Sequence, residues 1–257
     1  MARYFIELSY KGTNYHGWQI QKNATGVQQL LNRALALKLG ESVETTGSGR
    51  TDKGVHALQQ FAHFDIRKKI NEEQLGLQLN RILPRDIAVK HIYKVHDEAH
   101  ARFDAISRSY LYKINTIKDP FQTNTSYFRR GMLDVHLMNE AASSFIQTGD
   151  FESFSKVKTD VNHFRCTVTR SEWVPGKDYL HYHVTADRFL RGMVRTLVGT
   201  MLDIGTGKTS LEALKRIIES QDRREAGRAV PAHGLYLTEV KYPPEIFINK
   251  RPWQKKI

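Results

Sequence analysis

The sequence predicts an α+β protein built from two tandem ferredoxin-like halves. Strand-like alternation and helical periodicity follow one another twice along the chain, once before residue 95 and again after residue 107. At 257 residues the chain is long enough to bury a sizeable core and to form one large domain or two ordinary ones. We expect the halves to span residues 1–105 and 106–257.

The first half has the pattern strand, helix, strand, helix, strand. Apolar and polar residues alternate over residues 3–10, as in a strand. Residues 27–35 carry apolar side chains at helical spacing, with Thr25 as the expected N-cap and Gly40 as the expected stop. The remaining elements are a strand over residues 58–66, a helix that starts at Asn71 with Gln74 in a capping-box-like pair and ends at Pro84, and a strand over residues 87–95.

The second half has a similar rhythm. Residues 175–178, Pro-Gly-Lys-Asp, supply turn chemistry between two strand-like runs and predict a hairpin. Thr209 and Glu212 form a capping-box pair, and the Gly-Thr-Gly-Lys-Thr run that ends at Thr209 lacks the first glycine of a phosphate-binding loop. Strands are predicted over residues 109–116, 167–174, 180–186 and 235–242, and helices over residues 134–148, 188–203 and 211–220.

The chain is strongly basic, with 39 Lys and Arg against 27 Asp and Glu and a net charge of +12. This excess favours a nucleic acid or another anionic partner, although charge alone also fits a basic protein of another kind. The single cysteine, Cys166, excludes an intramolecular disulfide and fits a reducing compartment. The first ten residues alternate like a strand, and no apolar run approaches about 18 residues. We therefore expect a soluble, cytoplasmic protein.

The most informative stretch is residues 47–57, GSGRTDKGVHA, which places Asp52 between Arg50 and Lys53 in a glycine-rich loop. Neighbouring cations keep a carboxylate ionised, and glycines let a ligand or another chain segment approach closely. Asp52 is therefore a candidate nucleophile or base. The structural alternative is that Asp52 caps a helix or closes an Asx turn, and local chemistry alone slightly favours that alternative.

The same string resembles the active-site loop of the TruA-type tRNA pseudouridine synthases, in which the aspartate is the essential nucleophile. Four further segments resemble this family in the same order along the chain. They are YKGTNYHGWQIQ from Tyr10, SRSYLYKI from Ser107, FLRGMVRTLVGTMLDIG from Phe189 and PAHGLYLTEVKYP from Pro231. Because the resemblance extends over nearly the whole chain, it reverses the preference for the structural alternative at Asp52.

The resemblance implies a cofactor-free isomerase that converts uridine to pseudouridine at positions 38–40 of the tRNA anticodon arm. It implies two ferredoxin-like halves fused into one extended, mostly antiparallel sheet with helices on one face. The first half would carry the catalytic loop, and the second would complete the active-site cleft. It also implies a homodimer. No metal-ligand set of His, Cys and carboxylate residues stands out in the sequence.

The resemblance also assigns roles to individual residues. Asp52 would be the nucleophile, and Arg195 would pair with it. Tyr110 would contact the target base, and Arg50 would fill the space that this base leaves or hold a flanking phosphate. The residues alone leave alternatives open: Arg195 as a solvent-facing helical cation, and Tyr110 with Tyr112 as core aromatics on one strand face. We expect scattered cations, including Lys11, Lys22, Arg108, Arg129, Arg130, Arg223, Arg224 and Arg228, to contact phosphates collectively.

A non-catalytic RNA-binding protein with paired RRM-like halves is the main alternative function. Such a protein would carry an aromatic RNP strand, and neither half contains one. An aspartate inside a cationic loop would also weaken a purely passive phosphate contact. These two observations favour the enzyme. The basic C-terminal residues 250–257 have no motif and are interpreted as an anchor for tRNA or a lightly ordered end.

Overall fold

The computed structural model describes residues 1–157 and 161–248, and it confirms the predicted α+β class and mostly antiparallel strand pairing. The C-terminal residues 250–257 lie outside this range. By its internal contacts the chain divides into two compact units, one of residues 1–106 with Leu237 onward and one of residues 107–236. The predicted halves differ in placing the closing segment with the second half. None of the helices in the described residues is long and apolar enough to span a membrane.

The first unit is a sheet in which β1 lies between β4 and β3, antiparallel to both, and two helices contact each other. A short strand, β2, pairs antiparallel with β3 just before the loop of residues 48–55. The elements of the first unit, in chain order, are β1 (Ala2–Tyr10), α1 (Val27–Leu39), β2 (Thr46–Gly47), β3 (His56–Ile66), α2 (Glu72–Ile82) and β4 (Ile87–Lys94).

The second unit pairs β8 antiparallel to both β5 and β7, and β6 runs parallel to the end of β5. A helix, α3, packs against β7 and α4. The elements of this unit are β5 (Ser107–Asn115), β6 (Tyr127–Phe128), α3 (Val135–Gln147), β7 (Val168–Pro175), β8 (Tyr179–Ala186), α4 (Met193–Gly205) and α5 (Leu211–Ser220). The last strand, β9 (Leu235–Lys241), begins at the end of this unit and belongs to the first unit from Leu237 onward.

Aromatic side chains dominate both cores. In the first unit Phe5, which is fully buried, packs against Tyr242 and Phe247 with ring centroids 5.2 and 6.1 Å away. These ring contacts hold the segment after β9 in the first unit. The Val240 amide also donates to the Gln59 side chain at 2.9 Å. Burying aromatic rings removes large apolar areas from water, so this packing is a main source of stability.

The second unit has a comparable aromatic core under its sheet. Phe145 on α3 meets Phe154 edge to face at 5.3 Å, and Trp173 packs on Tyr182 at 5.0 Å. The Tyr182 hydroxyl hydrogen-bonds to Ser171, which satisfies a polar group inside this core.

Most predicted helix boundaries are confirmed. The Asn71 side chain accepts a hydrogen bond from the Gln74 amide at 2.9 Å, and α2 ends before Pro84. Gly40 ends α1 in the left-handed conformation, with φ 73°. The Pro175 to Asp178 turn joins β7 and β8 as a hairpin, in which the Gly176 amide donates to the Tyr179 carbonyl at 2.9 Å.

Two N-cap residues and one helix start were predicted wrongly. The N-cap of α1 is Gly26 rather than Thr25, whose carbonyl instead accepts a hydrogen bond from the His16 amide. The N-cap of α5 is Ser210 rather than Thr209, because the Ser210 hydroxyl reaches the Ala213 amide.

The start of α4 differs most, since the helix begins at Met193 instead of residue 188. Gly192 adopts φ 75°, and its left-handed backbone cannot continue a helix. The Arg191 carbonyl before it accepts a hydrogen bond from the Lys156 amide, at 2.8 Å, and so is engaged outside the helix.

Candidate active site

Asp52 lies in the loop of residues 48–55, which connects β2 to β3 in the first unit. Its side chain is half-buried, while Arg50 and Lys53 on either side are exposed. The turn after it is closed by a hydrogen bond from the Val55 amide to the Asp52 carbonyl, at 3.1 Å. No helix begins within residues 48–55, so the helix-cap interpretation of Asp52 is wrong.

The start of this loop is fixed to β3. The Ser48 amide donates to the Phe61 carbonyl at 2.7 Å, and the Ser48 hydroxyl donates to the Gln60 side chain at 2.5 Å. The Gln60 amide group donates in turn to the Gly49 carbonyl at 2.9 Å. Gln60 is fully buried, and these bonds satisfy its polar side chain while holding the loop in register.

The N-terminal segment of residues 10–18 holds the loop on both sides of Asp52. Before Asp52, the Thr51 hydroxyl hydrogen-bonds to the buried Tyr10 hydroxyl at 2.9 Å, and the Thr51 carbonyl accepts from the Trp18 amide at 3.2 Å. After Asp52, the Gly54 amide donates to the Tyr15 carbonyl at 3.2 Å. The backbone that carries the carboxylate is therefore immobilised by three hydrogen bonds from one neighbouring segment.

Two glycines make this close approach possible. A Cβ atom on Gly17 would lie 2.2 Å from the Thr51 carbonyl oxygen, and Gly17 also has φ +88°. A Cβ atom on Gly12 would lie 1.9 Å from the Val55 carbonyl oxygen. Both distances are far below van der Waals contact, so any larger residue would push the N-terminal segment away from the loop.

His56 supports the same contact. It is buried, and its Nδ1 accepts a hydrogen bond from the Gly12 amide at 3.0 Å. Nδ1 must be unprotonated to accept, so the imidazole takes the tautomer with its proton on Nε2. This contact gives His56 a structural role in holding the loop, in line with its omission from the predicted catalytic residues.

In the second unit, Tyr110 lies in the middle of β5, opposite Val184 of β8. Its ring is half-buried and meets Phe189 edge to face, with centroids 5.0 Å apart. Tyr112, two residues along, is fully buried and donates to the Pro231 carbonyl at 2.8 Å. Burial raises the pKa of Tyr112 above its ordinary value. Tyr112 is therefore a core aromatic residue, as the structural alternative predicted, whereas Tyr110 is partly accessible to solvent.

Arg195 lies on α4 and is anchored to the segment that precedes β9. Its Nε donates to the Val230 carbonyl at 2.7 Å, and its own carbonyl accepts from the Val230 amide at 3.1 Å. The side chain is half-buried, so the interpretation as a solvent-facing helical cation is wrong. Burial first, and then the Arg195 charge, lower the pKa of His233.

The helix approaches that segment closely because of Gly199. A Cβ atom there would lie 1.8 Å from the Arg228 carbonyl oxygen, and the Gly227 amide donates to the Thr200 hydroxyl at 2.9 Å. These contacts fix the rotation of α4 and hence the direction in which Arg195 leaves it.

The structure therefore places the four predicted site residues in two sets. Arg50 and Asp52 share one loop of the first unit, and Tyr110 and Arg195 lie on β5 and α4 of the second. The pairing of Arg195 with Asp52 stays a prediction. Within residues 1–157 and 161–248, no group of three or more His, Cys, Asp or Glu side chains is arranged to hold a metal ion.

Sequence reasoning missed the supporting residues Tyr10, Gly12, Gly17 and Thr51. A signal was present, because residues 11–18 carry two glycines among aromatic residues, after the first predicted strand and before the first predicted helix. Glycines at such positions often mark close backbone approach. The pattern did not indicate which segment of the chain these glycines approach.

Comparison with known proteins agrees with these motifs. A family model described as tRNA pseudouridine synthase matches residues 8–104 and 141–243. The chain is 47% identical over 250 residues to tRNA pseudouridine synthase A of Bacteroides thetaiotaomicron, covering 96% of this chain and 93% of that protein. It is 47% identical over 248 residues to the protein of that name from Parabacteroides distasonis, covering 96% and 98%. The Bacillus subtilis protein is 41% identical over 239 residues, covering 91% and 97%. The chain therefore belongs to the tRNA pseudouridine synthase family.

Proposed function

We propose that this protein isomerises uridine to pseudouridine at positions 38–40 of the tRNA anticodon arm, with Asp52 as the nucleophile and no cofactor. The observation that carries the proposal is the loop of residues 48–55, which presents a half-buried carboxylate between two exposed cations on an immobilised backbone. Family membership supplies the reaction, and this loop supplies the group suited to it.

The reaction is an isomerisation without net oxidation or reduction. The bond from C1′ to N1 of uridine breaks, and a bond from C1′ to C5 forms. C5 loses its proton, and N1 of the product carries one. A carboxylate can assist by adding to C6 of the pyrimidine or by acting at C1′ as the base departs as an anion. Both routes require an ionised carboxylate on Asp52.

The other predicted residues have roles that follow from their chemistry. Arg195 is proposed to pair with Asp52, because a guanidinium stabilises a carboxylate that loses water when the base covers it. Its Nε bond to the Val230 carbonyl holds the guanidinium in one orientation. Tyr110 is proposed to stack on the pyrimidine, and its hydroxyl is suited to removing the C5 proton.

Arg50 is proposed to act on the RNA rather than on the reacting bond. The target base must leave its stack before it can reach a carboxylate, at a cost of about a few kcal/mol. An exposed guanidinium beside the nucleophile can occupy the vacated space or hold the flanking phosphate. We also propose that the protein acts as a homodimer in the cytoplasm. A single, buried cysteine fits that reducing compartment.

The test uses purified protein and unmodified tRNA transcripts with no added cofactor. We expect tritium release from 5-³H-uridine in the transcript, and pseudouridine at positions 38–40 by carbodiimide-blocked primer extension. Both signals should disappear in the Asp52→Ala protein. The control is Glu73→Gln, which neutralises an exposed carboxylate on α2 of the same unit.

Each other outcome has a defined meaning. Pseudouridine at other positions would overturn the substrate site and keep the chemistry. Full activity of Asp52→Ala would overturn the nucleophile. Tight tRNA binding by wild-type protein without any tritium release would favour the RNA-binding alternative.

A further inference from the structure

Residues 116–132 form an exposed segment of the second unit, here called the Phe121 loop. The chain leaves β5 at Asn115 and returns to pair with its end, since Ile114 lies opposite Tyr127 and Asn115 opposite Phe128. The two ends of the excursion are thus fixed beside each other. Phe121, near its middle, is 90% exposed, although a phenylalanine is among the residue types most often buried.

The Phe121 loop is ordered by hydrogen bonds within it and by one from Tyr236. The Asp119 carboxylate accepts from the Phe121 amide at 2.9 Å, and the Thr125 amide donates to the Gln122 carbonyl at 3.0 Å. The Tyr236 hydroxyl donates to the Thr125 carbonyl. An exposed ring on a pre-organised loop loses little conformational entropy when it binds a partner, which makes it an effective contact.

The charge of the Phe121 loop points to an anionic partner. Its cations are Lys118, Arg129 and Arg130, and Arg130 lies over the Phe128 ring at 5.7 Å from the centroid. Its single carboxylate, on Asp119, is engaged by the loop backbone. In a symmetric dimer built on this surface, the same cations would face each other across the interface and repel. A polyanion with stackable rings matches both features.

We propose that the Phe121 loop is a tRNA-contact surface, in which the Phe121 ring stacks on an unpaired base while Lys118, Arg129 and Arg130 contact phosphates. Aromatic rings accept any base, because every base has a π face, and neighbouring cations bind the backbone. The choice of tRNA as the ligand rests on the proposed function. The stacking and phosphate contacts rest on the exposure and charge of this loop.

The experiment measures dissociation constants for an unmodified tRNA transcript by fluorescence anisotropy at several salt concentrations. We expect Phe121→Ala to weaken binding about tenfold, and Phe121→Trp to bind as tightly as wild type. Arg130→Ala should reduce the slope of log K against log salt by about 1. The control is Leu77→Ala, which removes an exposed apolar side chain from α2 and should leave the affinity unchanged.

A blunt RNA duplex distinguishes stacking from other effects. It has no unpaired base for Phe121, so Phe121→Ala should leave its affinity unchanged. An unchanged tRNA affinity in Phe121→Ala would overturn the proposal, and an equal loss for tRNA and duplex would overturn the stacking. A loss that coincides with a change of oligomeric state in sedimentation would assign the loop to a protein interface instead.

Two further readouts separate this proposal from others. We expect circular dichroism to give the same Tm for Phe121→Ala as for wild type, because the side chain is exposed. If Phe121→Ala has a lower Tm, Phe121→Trp still tests the proposal, because it keeps an aromatic ring at this position. Binding does not require turnover. Wild-type protein that binds tRNA through Phe121 but releases no tritium would overturn the proposed function and uphold this inference.

Discussion

Two loops of this protein, the loop of residues 48–55 and the Phe121 loop of residues 116–132, each carry one aspartate beside a lysine, and the two aspartates have different roles in the structure. In the second loop the Asp119 carboxylate accepts a backbone hydrogen bond and orders the turn that follows. In the first loop the turn is closed by the Asp52 carbonyl, and the backbone is held by Tyr10, Tyr15 and Trp18. The Asp119 carboxylate therefore caps the short turn that follows it.

The source of rigidity also differs between the two loops. The loop of residues 48–55 is held from outside, by a segment that approaches within van der Waals distance at Gly12 and Gly17. The Phe121 loop is held largely by its own turn and projects an apolar ring outward. Contacts from a neighbouring segment fix the backbone at Asp52, whereas the Phe121 loop presents its ring outward on a turn of its own.

The largest expected effect is at the carboxylate itself. Asp52→Asn keeps the size of the side chain and removes its charge, so kcat for tritium release should fall by about 10⁴-fold or more. Affinity for tRNA should change little, because the backbone supports remain. Measurable turnover at more than a hundredth of the wild-type rate would remove Asp52 from the nucleophile role.

The next effect tests the external support of the loop. Gly17→Ala adds a Cβ atom 2.2 Å from the Thr51 carbonyl oxygen and should lower kcat by about 10²-fold through displacement of Asp52. The control is Gly40→Ala, where φ is +73° and no atom lies within 4 Å of the new Cβ.

Gly40→Ala isolates the cost of a left-handed backbone. We expect Tm to fall by about 2–6 °C with kcat unchanged, because that strain costs about 1–2 kcal/mol. If both variants lost only stability, the close contact at Gly17 would have no role in positioning Asp52.

A smaller effect is expected at Arg195, the residue of α4 that we propose to pair with Asp52. Arg195→Lys keeps the charge but removes the Nε donor to Val230 and the planar guanidinium. We expect kcat to fall by about 10- to 100-fold, as is typical for loss of a charge-assisted hydrogen bond. A double-mutant cycle with Asp52→Asn should show strong non-additivity, and additive losses would contradict the proposed pairing.

The smallest effect is expected for Tyr10→Phe, which deletes one hydroxyl from the support of Thr51. The lost hydrogen bond is worth about 1 kcal/mol, so kcat should fall about fivefold with unchanged KM for tRNA. Thr51→Val removes the other partner and should give a similar loss. An increase in KM instead would place Tyr10 in RNA binding.

Much of the fold was predictable because its elements obey local rules. The alternation in residues 3–10 and the Asn71–Gln74 cap both describe interactions between residues close in the chain, and both are confirmed. The start of α4 was not predictable, because an apolar run gave no sign that Gly192 would adopt a left-handed backbone. The short strands β2 and β6 were missed because two residues carry too little pattern.

The sequence by itself determined the family and the α+β class, and it singled out Asp52 as the proposed nucleophile, because the GSGRTDKGVHA string and its companion segments are long and specific. Tertiary structure decided what holds that residue. The contacts of Tyr10, Gly12 and Gly17 with residues 51–56 join positions more than 30 apart in the chain. No local propensity records such contacts, since their energy arises only when the folded backbone brings the two segments together.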